Sequence, residues 1–188
     1  MPTQIWSQVL TASTTDGAAL TAAATPASCI PGNNVITLPS YYIKLGTVFR
    51  ITAMGRISCV VTTPGTARFQ VRSGAAGATS IFDTGALNLN IVAKTTVPWR
   101  LDILLTCRTV GSGTSCAFMG GATFQSEAVV GAPLPTVGSN GVLFAPVGTP
   151  AVGSGIDSTV VNLLDLYFTQ TVATGSLTCH QYVVESLT

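Results

Sequence analysis

The sequence predicts an all-β protein, a sandwich or barrel of about eight to ten antiparallel strands. Two long stretches, 47–62 and 96–109, alternate apolar and polar residues with a period of two. Turn-forming Gly, Pro, Asn and Ser clusters recur at intervals of roughly 8–16 residues. No stretch carries the period of a long helix.

The chain has 188 residues, enough for one domain with a proper core. Charge is scarce: eight Lys plus Arg and seven Asp plus Glu make 8% of the chain, where soluble domains carry about 25%. Thr, Ser, Gly and Ala fill the outward positions instead. Such a surface is expected to be covered by copies of itself or by a larger assembly. The net charge is +1 with no basic run, so no nucleic-acid partner is expected. The opening MPTQIWSQVL has neither a basic nor an apolar leader region, and no apolar run reaches the length of a bilayer span. Neither a signal peptide nor a membrane is therefore expected. Five cysteines without C-x-x-C spacing and a single histidine, His180, argue for buried thiols made in a reducing cytosol. No metal or other cofactor is expected.

Residues 1–34 hold one charge, Asp16, and few large apolar side chains. They are expected as an extended N-terminal arm, with a short strand at 5–9, lying either on their own domain or on a neighbouring subunit. The sandwich domain is expected over 35–188. After the turn signal Gly32-Asn33-Asn34, strands are expected at 35–38 and 41–45. The central strand at 47–62 places Phe49, Ile51, Ala53, Ile57 and Cys59 on one face, with Gly55 as its bending point. A turn at Thr63-Pro64-Gly65-Thr66 returns the chain along 67–73, where Phe69 and Val71 face the core. Short strands follow at 80–82 and 86–92. The strand at 96–109 turns Trp99, Leu101, Ile103, Leu105 and Cys107 inward, and 115–125 pairs back onto it. A loop at Gly111-Ser112 sets Trp99 against Phe124 and Cys107 against Cys116. A loop at Ser112-Gly113 shifts that register by two residues and keeps the faces. Residues 128–157 are Gly, Pro, Val and Ser with one Phe, expected as an ordered excursion that packs on something. Strands at 159–172 and 177–187 close the fold.

Four residue patterns bear on chemistry. Phe82-Asp83-Thr84-Gly85 has the form of an aspartic-protease motif, but that chemistry needs two aspartates sharing a proton. Val129-Val130-Gly131 would have to supply the second element, from a homodimer. Asp-x-Gly is also ordinary turn chemistry. His180 lacks a G-x-S-x-G partner motif and reads as a strand histidine at a subunit contact. Cys107 or Cys179 as a nucleophile would need the same histidine. Arg50, Arg56, Arg68, Arg72, Arg100 and Arg108 all fall on outward phases, with few carboxylates to pair them. With His180 they are the candidate subunit contacts.

Residues 157–185 resemble the C-terminal part of small structural proteins of tailed-phage virions. The resemblance is carried by Asn162, Asp165 and Leu166, by Ser176-Leu177-Thr178-Cys179-His180-Gln181, and by Val183-Val184-Glu185. The upstream runs ITLPSYY, TVFRITAMGRIS and TVPWRLDILLTCRTVG are similar too, so the likeness covers most of 35–188. It implies an antiparallel jelly-roll β-sandwich without an active site, assembling as a homotrimer. Such proteins are head decorations, head fibres or tail-tip parts. The expectation is a non-enzymatic virion structural protein of a bacteriophage, a capsid decoration or fibre, with itself and virion proteins such as the major capsid protein as partners. The alternative is a receptor- or carbohydrate-binding tail module, against which Trp6, Trp99, Tyr41, Tyr42, Tyr167 and Tyr182 count by falling mainly within strands.

Overall fold

The structure is a computed structural model that describes residues 7–59, 63–74, 77–129, 141–173 and 175–187. Trp6, the end of the expected central strand at 60–62, and Val130 and Gly131 lie outside these residues. The strands in chain order are β1 (Ser7–Ala12), β2 (Ala27–Ser28), β3 (Ile36–Leu38), β4 (Val48–Cys59), β5 (Thr66–Gly74), β6 (Thr79–Asp83), β7 (Leu87–Asn88), β8 (Lys94–Thr109), β9 (Ala117–Ser126), β10 (Gly141–Ala145), β11 (Asn162–Gln170) and β12 (Ser176–Leu187). Their number exceeds the expected range because β2 and β7 are two-residue edge pieces.

Two antiparallel sheets pack face to face as a β-sandwich. Sheet I runs β1-β12-β4-β8-β9-β10, and sheet II runs β2-β11-β5-β6, with β3 on β11 and β7 on β5. The pairings nest: β1 with β12, β2 and β3 with β11, β4 with β8, β5 with β6. The nested pairs are then joined sideways by β12 on β4 and β11 on β5.

The core lies where the inward phases of the two sheets meet. Ile51, Ile57, Phe69, Val71, Trp99, Leu101, Ile103 and Leu105 are all buried, as their period predicts. Phe69 of sheet II sits at the centre, its ring 5.2–5.3 Å from those of Phe168, Phe124 and Trp99. Full burial of such side chains contributes about 1.5–3 kcal/mol each. Gly120 on β9 also faces inward, and a Cβ there would meet Leu105 and Phe82 at 2.5–2.6 Å. Its missing side chain lets these two side chains, one from each sheet, close the core.

Gly55 is required by what crosses it. It pairs with Trp99 on one side and Cys179 on the other. The Trp99 indole reaches over it and donates from Nε1 to the Thr178 carbonyl at 3.3 Å. A Cβ at Gly55 would stand 1.9 Å from that same oxygen. The irregularity expected at Gly55 falls on its partner strand, where the register shifts between Cys179 and Gln181. This bulge adds one residue, His180, and so changes the phase of β12. Leu177 and Cys179 are buried before it, Tyr182 and Val184 after it.

The expected arm lies along its own domain. Its strand is β1, paired with β12 at the edge of sheet I. Backbone bonds then carry the chain across to sheet II: Gly17 N–H to the Cys179 carbonyl at 2.8 Å, Leu20 N–H to Leu177 at 2.8 Å, Ala24 N–H to Gln170 at 2.7 Å. At β2, Cys29 donates to Leu166 at 2.9 Å, and Cys29 and Ile30 are part of the core.

Other expectations are corrected. Residues 41–45 form a loop, because Tyr41 takes a left-handed φ of 60° and Tyr42 N–H bonds the Pro39 carbonyl at 3.1 Å. Of the two registers open for β8–β9, the Ser112-Gly113 one is adopted: Leu101 faces Phe124, and Cys107 faces Phe118. The 128–157 excursion contains a strand, β10. The strand expected at 159–172 begins only at Asn162, so Val160 is exposed, while Leu164, Leu166 and Phe168 are buried.

Candidate functional site

The outer face of sheet I is laid out in cross-strand rows. Val183, Thr52, Asp102, Thr123 and Phe144 stand in one row, and Gln181, Met54, Arg100, Gln125 and Val142 in the next. Glu185, Arg50, Leu104 and Gly121 form a third. Charge on this face is mostly neutralised within it. Arg50 Nη1 lies 3.6 Å from Glu185, Arg100 Nε lies 2.7 Å from Asp102, and Lys94 Nζ lies 3.3 Å from Glu127. Thr52 adds a hydroxyl bond to Asp102 at 3.0 Å.

Two open hollows lie on this face, of about 890 Å³ and 780 Å³. Both touch Arg100 and both run along β9. The outward side chain at the middle of the trough is absent: at Gly121 the nearest atom to a Cβ is the Ala145 carbonyl, at 3.9 Å. Leu104 walls one side at 48% exposed, and Val142 and Phe144 wall the other at 44% and 79%.

The outer face of sheet II differs. Arg68 binds Asp83 through two nitrogens, with Nε to Oδ1 at 2.7 Å. Gln70 donates to Asp83 at 2.8 Å and accepts from Arg72 Nη2 at 2.8 Å. The Arg72 guanidinium lies 4.5 Å over the Tyr167 ring and opposite Asp165 in register. Burial raises Asp83, but Arg68, Gln70 and the Gly85 N–H together more than reverse that, so Asp83 titrates below the usual carboxylate range. Asp165 is raised instead: burial outweighs the Ser28 hydroxyl bond at 2.8 Å. No large exposed apolar side chain stands on a strand of sheet II among the described residues.

The arginine set therefore divides. Arg50, Arg68 and Arg100 have carboxylate partners within the chain, and Arg72 has Gln70 and Tyr167. Arg56 and Arg108 have no acid within ion-pair distance among the described residues. His180, pushed out by the bulge, places Nδ1 2.9 Å from Asp16 Oδ1 and ties the arm to β12. Its Nε2 is buried without a hydrogen-bond partner among the described residues.

The remaining patterns also take structural partners. Asp83 Oδ1 accepts from the Gly85 N–H at 2.8 Å, the turn chemistry of Asp-x-Gly. Thr84 bonds the backbone of Phe69 in both directions, at 3.0 and 3.2 Å. Cys107 and Cys116 are free thiols with sulfurs 4.0 Å apart. Burial, with Cys107 beside it, pushes Cys116 up to about 12.

One end of the sandwich gathers a second exposed apolar group, Tyr41, Leu45, Val110, Val160 and Val161. Its loops are pinned together by Tyr41 N–H to the Ser158 carbonyl and Gly46 N–H to the Cys107 carbonyl, both at 3.0 Å.

Sequence reasoning missed Phe144. A usable signal was present: Asn140-Gly141 is a turn dipeptide, and Val142-Leu143-Phe144-Ala145 follows it. The surrounding Gly, Pro and Ser masked it. No family model, curated protein or solved structure matches the chain.

Proposed function

We propose that this chain is a non-enzymatic structural protein of a bacteriophage virion, a capsid decoration or fibre subunit that works as a homotrimer. The observation that carries the reading is the outer face of sheet I. On a chain with only 8% charged residues, that face leaves Leu104, Val142 and Phe144 in the open around β9, at 44–79% exposed. Monomeric domains rarely leave a contiguous apolar surface uncovered, and closed symmetry is the usual way to cover one. The nested pairings support a jelly roll, since a long hairpin rolled on itself gives that order. The likeness of 157–185 to phage structural proteins supplies the virion location and the threefold.

Native mass spectrometry of the full chain at micromolar concentration tests this. A trimer is expected. A monomer that binds no phage particle overturns the reading.

A further inference from the structure

Four of the five cysteines meet in two pairs inside the sandwich, and the fifth stands apart. Cys29, Cys59, Cys107, Cys116 and Cys179 are all buried and all free thiols. Cys107 lies opposite Phe118, and the ladder shifts between Cys107 and Thr109. Across that shift the sulfurs of Cys107 and Cys116 stand 4.0 Å apart. The second pair joins the arm to the closing strand. The Gly17 N–H bonds the Cys179 carbonyl at 2.8 Å, and a Cβ at Gly17 would lie 2.2 Å from the Cys29 carbonyl. Cys29 and Cys179 thus close on the same residue, and their thiols hydrogen-bond each other. The Cys59 sulfur is bonded instead to backbone carbonyls, Asn90 at 3.5 Å and Ala128 at 3.8 Å.

A cysteine that serves as a small apolar filler needs no second cysteine beside it. With five in 188 residues, two buried thiol–thiol contacts are more than core filling asks for. A disulfide needs its sulfurs at about 2.05 Å. Sulfurs already in contact reach that distance by side-chain rotation, without a change of fold. The two bridges would tie different parts of the molecule: one fixes the arm to β12, the other fixes the end of the β8–β9 hairpin.

We infer that Cys29–Cys179 and Cys107–Cys116 are two disulfide sites, open in a reducing compartment and closed in an oxidising one, where they lock the arm and the hairpin end and leave Cys59 free. The oxidant is a low-molecular-weight disulfide of the glutathione type. One cysteine thiolate attacks it, forms a mixed disulfide and releases one small thiol. The partner cysteine then attacks the mixed disulfide, closes the protein bridge and releases the second small thiol. The two protons that leave the cysteines end on the two small thiols. The protein is oxidised by two electrons per bridge, and the small disulfide is reduced by two. Burial holds these sulfurs protonated in the folded chain: it raises Cys29 and Cys107 and, with Cys107 beside it, pushes Cys116 up to about 12. The exchange therefore runs while the chain is open, as it is during folding. The proposed function stands whether the bridges are open or closed.

The test uses the full chain in two samples. One is unfolded in guanidinium with reductant, refolded in a mixture of reduced and oxidised glutathione, and taken forward once its circular dichroism matches the native protein. The other is native protein held in the same mixture with sub-denaturing guanidinium. Free thiols are alkylated, and unreduced digests are mapped by mass spectrometry. Peptides linked 29–179 and 107–116, each lighter by two hydrogens, and an alkylated Cys59 are expected in both. The bridged chain is expected to melt at least about 5 °C above the reduced one, and dithiothreitol to reverse the gain. Cys116→Ser is expected to leave Cys107 alkylated and to keep the 29–179 bridge. The absence of either bridge from both samples, a bridge to Cys59, or a bridged chain that melts no higher than the reduced one overturns the inference.

Discussion

On the outer face of sheet II, Arg68, Gln70, Arg72 and Asp83 form one ladder of side-chain contacts, and Tyr167 lies beneath the Arg72 guanidinium. On the outer face of sheet I, similar groups pair off locally, and the space between them is given to Leu104, Val142, Phe144 and a glycine. Both faces grow from the same period-two pattern. What separates them is the residue standing directly across each strand, since an opposed pair is the unit of sheet stabilisation. Gln70 lies opposite Asp83 and donates to it at 2.8 Å, whereas Leu104 lies opposite Gly121.

The largest effect is expected where the two sheets are tied together. The segment 7–34 gives an edge strand to each sheet, places Cys29 and Ile30 in the core, and bonds β12 and β11 along its length. A chain beginning at Val35 is expected to lose its cooperative thermal transition in calorimetry. A truncated chain that melts cooperatively within a few degrees of the full one would mean that the two faces belong to a sandwich standing without its arm.

A smaller effect separates the faces directly. Asp83→Asn takes a carboxylate from Arg68, Gln70 and the Gly85 N–H and is expected to cost about 1–3 kcal/mol in denaturant unfolding. Asp102→Asn, on a half-exposed pair with Arg100, is expected to cost under about 0.5 kcal/mol. The Asp83 difference depends on pH. Its folded pKa is depressed, so its contribution is complete above the unfolded value of about 3.9 and is lost as pH falls through the folded value. Equal costs for the two variants, or an Asp83 cost that persists well below pH 3, would erase the contrast in stability.

The strand phases were legible because burial on one face of a strand imposes alternation that nothing else in the sequence imitates. Ile51, Phe69, Trp99 and Leu105 are inside as their spacing requires. The register of β8 and β9 was not legible, because Gly111-Ser112 and Ser112-Gly113 are both good turns and each keeps the same residues inward. The bulge at His180 was hidden for a related reason: one added residue breaks the period, and β12 continues past it with the opposite phase. β10 was missed because its five residues sit in a stretch dominated by Gly, Pro and Ser. The outward arginines were legible as outward, and their partners were not. Arg68 and Asp83 stand 15 positions apart, and Arg50 and Glu185 stand 135 apart, so only the topology brings them together.

Hydroxyl-radical footprinting of the full chain across its assembly range compares the two faces in one experiment. As the protein assembles, labelling of Phe144 and of Met119, which lines the same hollow on sheet I, is expected to fall severalfold, while Tyr167 on sheet II keeps its monomer level. Protection of Tyr167 with Phe144 and Met119 still fully labelled would contradict the assignment of the assembly surface to sheet I.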